Sequence, residues 1–187
     1  MRKRALDIVV AFTGLAVGWP LLLALALAVR LDSPGPALHW SRRVGQGNRH
    51  FAMPKFRTMR IDTPDVATHE LSDPGRWITP LGRRLRRYSL DELPQLWSVL
   101  IGDMSLVGPR PALHSQADLI ALRTAAGVER LRPGLTGWAQ VNGRDELPIP
   151  EKVRLDREYL ERKSFALDLR ILAATAQAAV TARGVSH

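Results

Sequence analysis

The sequence of 187 residues contains no cysteine, which excludes disulfide bonds and thiolate metal sites and is typical of a reducing compartment. Its five histidines stand apart and form no HExxH or similar ligand spacing, so a histidine-rich zinc site is not expected. Acidic residues are in the minority. Lys and Arg number 27 against 18 Asp and Glu, a formal charge of +9, which favours anionic partners: nucleic acid, lipid head groups or phosphorylated substrates.

Charge is also missing from residues 8–29, a run of 22 residues between a cationic start and Arg30. The run is long for a cleaved signal peptide, and cations at both ends disfavour a spanning helix. Pro20 lies near its middle and removes a backbone hydrogen bond. We therefore predict a re-entrant helix–break–helix at Pro20 with legs of about 15 Å, half the hydrocarbon thickness. A kinked spanning helix is the alternative.

The remaining pattern predicts a mainly α fold with a small β-hairpin, and with amphipathic helices at the membrane interface. We place a membrane hairpin at 1–33 and a compact cytoplasmic domain at 34–187, because Asp32-Ser33-Pro34-Gly35-Pro36 is a strong stop. Hairpin arms are predicted at 39–44 and 51–59, a loop at 61–79, helices at 81–88, 113–129, 149–163 and 167–182, and a glycine-containing loop at 132–144.

The segment 89–111 places Asp91 and Glu92 just before an apolar run at helical spacing. Ser89 and Glu92 match a capping box, and Pro94 suits a first helical turn, so both carboxylates should lie near a helix N-terminus. A segment with four arginines at 83–87 precedes them, and Arg110 follows between two prolines. Such a pair can hold a divalent metal, attack phosphorus, or both. A solvated surface helix is the alternative.

Two further cations, Lys55 and Arg57, alternate along the second hairpin arm. Alternating side chains share one face of a strand and can point at one phosphate-bearing ligand. A solvated strand edge is the alternative.

Four ordered motifs resemble the bacterial sugar transferase family, the monotopic polyprenol-phosphate phosphoglycosyl transferases. They are KFRTM (55–59), SLDELPQLWSVLIGDMSLVGPRP (89–111), RPGLTGWAQVNGR (132–144) and REYLERKSFALDLRIL (157–172). The resemblance implies transfer of a sugar 1-phosphate from a nucleotide diphosphate sugar, expected to be a UDP-sugar, to undecaprenyl phosphate. It also implies that Asp91 is the nucleophile, that Glu92 is its acidic partner, that Mg²⁺ is the metal, and that Lys55, Arg86 and Arg110 bind phosphate.

From this resemblance we expect the minimal catalytic unit of the family, which starts glycan or exopolysaccharide assembly. We expect Asp91 and Glu92 to hold the metal, and the cytoplasmic membrane to seat the chain with its catalytic domain on the cytoplasmic side of the inner leaflet. The sequence leaves open whether the chain forms a homodimer. A membrane-tethered nucleic-acid-binding or lipid-binding scaffold is the alternative, although no helix-turn-helix, RNP or zinc pattern is present and no nucleic-acid partner is expected.

Overall fold

The structure, a computed structural model, describes residues 2–64, 73–143 and 147–181. Within these ranges the chain is mainly helical, with a small antiparallel hairpin and an apolar N-terminal helix, as predicted. The α-helices are α1 (Arg2–Asp32), α2 (Pro74–Trp77), α3 (Pro80–Arg87), α4 (Leu96–Ile101), α5 (Ala117–Ala125), α6 (Trp138–Val141), α7 (Ile149–Arg162) and α8 (Phe165–Thr181). The strands are β1 (Leu38–Val44), β2 (His50–Phe56), β3 (Ser105–Val107) and β4 (Gly134–Thr136). Short 3₁₀ helices cover Gln46–Asn48, Leu90–Gln95 and Val128–Arg130.

Helix α1 is a single helix of 31 residues that includes Pro20. A proline forfeits only a local part of the hydrogen-bond ladder, and an otherwise apolar helix tolerates that loss. The structure does not divide the helix at Pro20, and the re-entrant path through a bilayer stays a prediction. By length and composition alone, α1 could cross a membrane. Its middle faces outward, with large apolar side chains such as Phe12, Val17 and Trp19 at least 60% exposed.

The start of α1 is fixed to the rest of the chain by charged side chains. Both terminal nitrogens of Arg4 donate to carbonyls of α4, over 2.6 and 2.8 Å. Asp7 is buried, and its Oδ1 accepts from Ser105 Oγ at 3.1 Å and from Leu106 N at 3.0 Å. Buried polar groups of this kind are costly unless they are paired, so each bond ties the helix to a defined place on β3 and α4.

The end of α1 is fixed to the hairpin side of the same domain. Val29 is buried in a cluster with Phe56 of β2 and Leu85 of α3. Directly after the helix, Ser33 receives two hydrogen bonds of 2.7 Å from Arg57, one to its hydroxyl and one to its carbonyl. Both ends of α1 therefore pack on the same domain, while the large apolar side chains of its central turns are exposed.

The β1–β2 hairpin matches the prediction, with a 3₁₀ turn at Gln46–Asn48. Its antiparallel register pairs His39 with Lys55. Lys55 therefore lies near the open end of the hairpin, one residue before β2 ends at Phe56. Helix α3 packs against this end, where Gly82 meets Thr58 so closely that an added Cβ would lie 2.1 Å from the Thr58 carbonyl oxygen.

The segment 132–144 is more ordered than predicted, since it contains β4 and α6 as well as turns. β4 pairs in parallel with β3, with Ser105 opposite Gly134. Gly134 of this segment allows close approach of Gly108, because a Cβ on Gly134 would lie 2.1 Å from the Gly108 nitrogen. Residue 144, the last of this motif, lies outside the described residues.

Other predicted elements differ in extent rather than in kind. The predicted loop 61–79 includes the one-turn helix α2, and its residues 65–72 lie outside the described part of the chain. The predicted helix 113–129 is shorter, because α5 ends at Ala125 and Gly127 adopts a left-handed φ of 74° before a 3₁₀ turn. Helices α3, α7 and α8 occupy the predicted places.

The main hydrophobic core lies where α1, β2, α4, β3, α7 and α8 meet. Its buried members are Ala11, Met53, Val99, Met104, Leu106, Val107, Tyr159, Leu167 and Ile171. Because α1 contributes Ala11 to this core, the N-terminal helix is packed as part of the domain rather than as a separate appendage.

Candidate active site

The acidic pair lies on the 3₁₀ helix Leu90–Gln95, immediately before α4. The predicted capping box is wrong, because the Ser89 side chain makes no capping hydrogen bond and its backbone is left-handed, with φ 54°. That conformation is uncommon for a residue with a Cβ and marks a sharp reversal between α3 and the 3₁₀ helix. Pro94 lies inside this helix rather than opening α4. The reversal places Asp91 and Glu92 in a first helical turn, as expected, but by backbone geometry instead of a side-chain cap.

Glu92 is held by two cations from distant parts of the chain. Its Oε1 accepts from Lys55 Nζ at 2.9 Å and from Arg110 Nη2 at 2.8 Å. Burial alone would raise the pKa of the Glu92 carboxyl, but Arg110 and Lys55 together hold it well below its usual range. Glu92 is therefore a permanently charged group at neutral pH, fixed in position from two sides.

Asp91 is electrostatically different although it is the adjacent residue. It is 7% exposed, and among the described residues no cation contacts its carboxylate directly. Burial raises the pKa of Asp91, and the nearby charge of Glu92 adds to the rise, while Lys55 and Arg86 oppose it through space. A desolvated carboxylate without a direct counter-ion is a more reactive oxygen base than a solvated or paired one.

Lys55 and Arg86 border the pair from β2 and α3. Burial lowers the pKa of Lys55, and its contact with Glu92 opposes that effect. Burial likewise lowers the pKa of Arg86, whose Nε donates to Thr58 Oγ1 at 2.9 Å. The other arginines of α3, which are Arg83, Arg84 and Arg87, are exposed. Of the four arginines in this helix, only Arg86 thus faces the acidic pair. This is expected, because the arginines lie around most of the helix circumference and cannot all point at one site.

Arg57 does not join this cluster. Its three guanidinium nitrogens donate to Ser33 and to the Pro36 carbonyl, all over 2.7 Å. Strand β2 has already ended at Phe56, so the alternation that would place Arg57 beside Lys55 no longer applies. Arg57 therefore stabilises the segment that connects α1 to β1, and we leave it out of the proposed phosphate-binding residues.

Three supporting residues were not singled out from the sequence. Arg43 and Arg123 donate to carbonyls of the Pro-Arg-Pro segment, and Asp156 pairs with Arg123. Neither Arg43 nor Arg123 lies in a recognisable motif. The one available signal was Asp156, an acidic residue on the apolar face of α7, where it is 1% exposed.

The residues present fit a Mg²⁺ ion that takes most of its ligands from a substrate. Among the described residues, no three His, Asp or Glu side chains group together to form a metal site made entirely of protein ligands. Mg²⁺ nevertheless often binds through one or two carboxylates together with substrate phosphates. Glu92 Oε1 already receives two cations, which leaves Glu92 Oε2 and the Asp91 carboxylate as protein ligands.

Comparison with known proteins identifies the family. A family model described as bacterial sugar transferase matches residues 1–182. The UDP-glucose:undecaprenyl-phosphate glucose-1-phosphate transferase of Xanthomonas campestris pv. campestris is 43% identical over 176 residues, covering 90% of this chain but 36% of that relative. A Caulobacter vibrioides protein of the same name is 44% identical over 191 residues, covering 97% of this chain and 70% of the relative. The exopolysaccharide production protein ExoY of Rhizobium meliloti is 35% identical over 201 residues, covering 98% and 88%.

The chain thus spans about a third of the length of the Xanthomonas relative, and most of the length of the other two. The matched range includes α1, the acidic pair, the Pro-Arg-Pro segment and α8. The chain belongs to the bacterial sugar transferase family.

Proposed function

We propose that this chain transfers a sugar 1-phosphate from a nucleotide diphosphate sugar to undecaprenyl phosphate and so starts the assembly of a glycan or exopolysaccharide. The observation that carries the proposal is the electrostatic division of Asp91 and Glu92, since one carboxylate is left reactive and its neighbour is fixed by two cations. UDP-glucose is the first donor to test, because two relatives are named for it.

In the proposed reaction, an Asp91 carboxylate oxygen attacks the phosphorus that bears the sugar. The bond between this phosphorus and the bridging diphosphate oxygen breaks, and the nucleoside monophosphate leaves with that oxygen. A phosphosugar–aspartyl intermediate remains. An oxygen of undecaprenyl phosphate then attacks the same phosphorus, which forms the lipid diphosphate sugar and returns Asp91 as a carboxylate.

The surrounding residues give this reaction its electrostatic support. A diphosphate repels a bare carboxylate, so attack requires fixed positive charge around the phosphoryl oxygens. Lys55 and Arg110 are already oriented by Glu92, and Arg86 is close enough to Asp91 for its charge to lower the pKa of that carboxyl. In this proposal Glu92 acts as the residue that holds two phosphate-binding cations in place.

We also propose that Asp91 and Glu92 hold Mg²⁺ when the donor binds. The ion would neutralise phosphoryl oxygens and so reduce the repulsion between the donor and Asp91. Asp91 is buried, and among the residues that the structure describes no cation contacts its carboxylate, which supports this role.

The two attachments of α1 support a re-entrant path in the cytoplasmic membrane. Arg4 and Asp7 fix one end to α4 and β3, and Ser33 fixes the other end to Arg57. If both ends belong to one water-soluble body, they lie on the same side of a bilayer. The exposed apolar turns around Pro20 would then enter the membrane from the cytoplasmic side and place the site beside the acceptor phosphate.

A panel of UDP-sugars tests the function directly. UDP-glucose, UDP-galactose and UDP-N-acetylgalactosamine are each incubated with the protein, Mg²⁺ and undecaprenyl phosphate, and release of UMP is measured. We expect release with at least one donor, and a phosphosugar adduct by intact-protein mass spectrometry when the acceptor is left out. Asp91→Asn should form no adduct. An adduct that persists in this variant, or that maps to Glu92, contradicts the role of Asp91.

Labelling of single cysteines tests the membrane path, since the chain has none of its own. Ala5→Cys and Pro34→Cys replace exposed residues at the two ends of α1. Both should resist an impermeant thiol reagent in intact cells and react once the cells are opened. Labelling of either residue from outside contradicts the re-entrant path.

A further inference from the structure

The backbone of the Pro-Arg-Pro segment is held at every carbonyl from residue 109 to residue 112. Two of the four donors are side chains and two are backbone amides, and they come from three parts of the chain: β1, α5 and β4. The pairs are Pro109 with Gly134 N (2.9 Å), Arg110 with Arg123 Nη1 (2.7 Å), Pro111 with Arg43 Nη1 (3.2 Å) and Ala112 with Val44 N (3.0 Å). With φ of the two prolines also restricted, the segment has little freedom to move Arg110.

The bond to the Arg110 carbonyl depends on a buried ion pair. Arg123 Nε and Nη2 both donate to Asp156 Oδ2, over 2.9 and 2.6 Å, so one guanidinium joins Asp156 of α7 to the backbone of Arg110. Burial raises the pKa of Asp156, and Arg123 opposes that rise. The pair bonds to the backbone of Arg110, whereas Glu92 accepts from its side chain, and the pair forms no hydrogen bond with Asp91 or Glu92.

A contribution to folding stability does not by itself explain why this ion pair is buried here. Removing two charges from water costs about as much as their attraction returns, and apolar residues of similar volume often serve equally well. What apolar residues cannot do is donate a hydrogen bond to the Arg110 carbonyl. The side chain of that same residue reaches Glu92 at 2.8 Å.

We propose that Arg123 and Asp156 are positioning residues that act through Arg110. Asp156 orients the guanidinium of Arg123, Arg123 fixes the carbonyl of Arg110, and the Arg110 side chain is thereby aligned with Glu92 and with the donor diphosphate. The expected effect on turnover rests on the proposed function. It should be large, because a misplacement of about 1 Å at a reacting centre can lower the rate roughly 100-fold.

An apolar replacement of the whole pair tests the proposal. The double variant Arg123→Met, Asp156→Leu removes both charges together and leaves neither one buried alone. We expect a melting temperature close to that of the wild type, with kcat/KM for UMP release at least tenfold lower. Glu151→Gln is the matched control, since it removes an exposed ion pair from the same helix α7 and should leave turnover unchanged. Wild-type turnover in the folded double variant would overturn the proposal.

The same replacement in an Arg110→Ala background separates positioning from a general effect. If the pair acts through Arg110, it should change the remaining rate by less than twofold once the Arg110 side chain is gone. A further tenfold loss would show that the pair acts by another route and would contradict the proposal.

Hydrogen–deuterium exchange without substrate keeps this inference distinct from the proposed function. Peptides covering residues 105–113 should exchange faster in the Arg123→Met, Asp156→Leu variant than in the wild type or in Glu151→Gln. If no nucleotide sugar is turned over by the wild type, the proposed function fails while this measurement still decides the positioning role. Unchanged exchange in these peptides contradicts it.

Discussion

Replacing Asp91 with Asn should stabilise the fold, whereas replacing the adjacent Glu92 with Gln should destabilise it. Both carboxylates are largely buried, and both substitutions remove one negative charge while keeping the shape of the side chain. A difference in sign between neighbouring, chemically matched substitutions would come from their partners alone. Asp91 lacks a direct cation among the described residues, and Glu92 has two.

The magnitudes follow from those partners. Glu92→Gln leaves Lys55 and Arg110 without their shared carboxylate, and breaking a buried pair typically costs about 3–5 kcal/mol. The side chain of Arg110 is 38% exposed and water can compensate it in part, so a loss of about 3 kcal/mol is expected. Asp91→Asn relieves a desolvated charge, for which a gain on the order of 1 kcal/mol is typical when a functional site gives up strain.

The charges of Asp91 and Glu92 affect the stability of the fold over different ranges of pH. The pKa of Asp91 is raised above its ordinary 3.8, so the cost of its charge is absent below that value and develops as pH rises through the raised pKa. The pKa of Glu92 is lowered from 4.5, so its stabilisation is present above 4.5 and is lost as pH falls below it. The gain from Asp91→Asn should therefore be seen at pH 7 and disappear in acid.

Thermal unfolding of the purified protein measures both variants against the wild type. For a chain of this size, 1 kcal/mol corresponds to a shift of about 2–4 °C in melting temperature. We expect a higher melting temperature for Asp91→Asn at pH 7 and a lower one for Glu92→Gln. A destabilised Asp91→Asn with a normal Glu92→Gln would refute the assignment of the reactive and the fixed carboxylate.

Three further outcomes are expected. Arg110→Lys keeps the charge but should lower UMP release by about 100-fold, because an ammonium cannot reproduce the planar, two-point grip of a guanidinium on phosphate; near-normal release would contradict that grip. Gly82→Ala should lower the melting temperature strongly, since its Cβ would lie 2.1 Å from Thr58 O, whereas Gly18→Ala, with no atom within 4 Å, should not. Adduct formation should fall in acid with an apparent pKa above the ordinary 3.8 of an aspartate, because Asp91 must be deprotonated to attack and its pKa is raised by burial; Glu92→Gln should move this limb to lower pH, and an upward shift would contradict the coupling.

Local sequence signals predicted the acidic pair, the hairpin and the main helices because each is encoded within about twenty residues. The hairpin turn fixes the register that pairs His39 with Lys55, and this brings Lys55 to the acidic pair. The same reasoning misplaced Arg57, because alternation applies only inside a strand and β2 ends one residue earlier. The end of a strand depends on tertiary contacts that periodicity does not contain.

The parallel pairing of β3 with β4 could not have been predicted in the same way. Each strand has three residues, which is too few for a periodic pattern. Helix α5, a 3₁₀ helix and several turns separate the two strands in the sequence. The pairing depends on the close approach of Gly108 and Gly134. A glycine signals conformational freedom in a sequence without saying which backbone it will approach.

Strand β3 connects the proposed membrane element to the proposed catalytic element. Asp7 of α1 accepts from residues 105 and 106, and Lys3 donates to the Val107 carbonyl at 2.9 Å. Three residues later the chain reaches Arg110, whose carbonyl accepts a hydrogen bond from Arg123. These bonds link α1 through β3 to the segment that contains Arg110, and Arg110 in turn donates to Glu92. In the proposed reaction between a soluble donor and a lipid phosphate, this linkage would set the depth at which Asp91 meets the membrane surface.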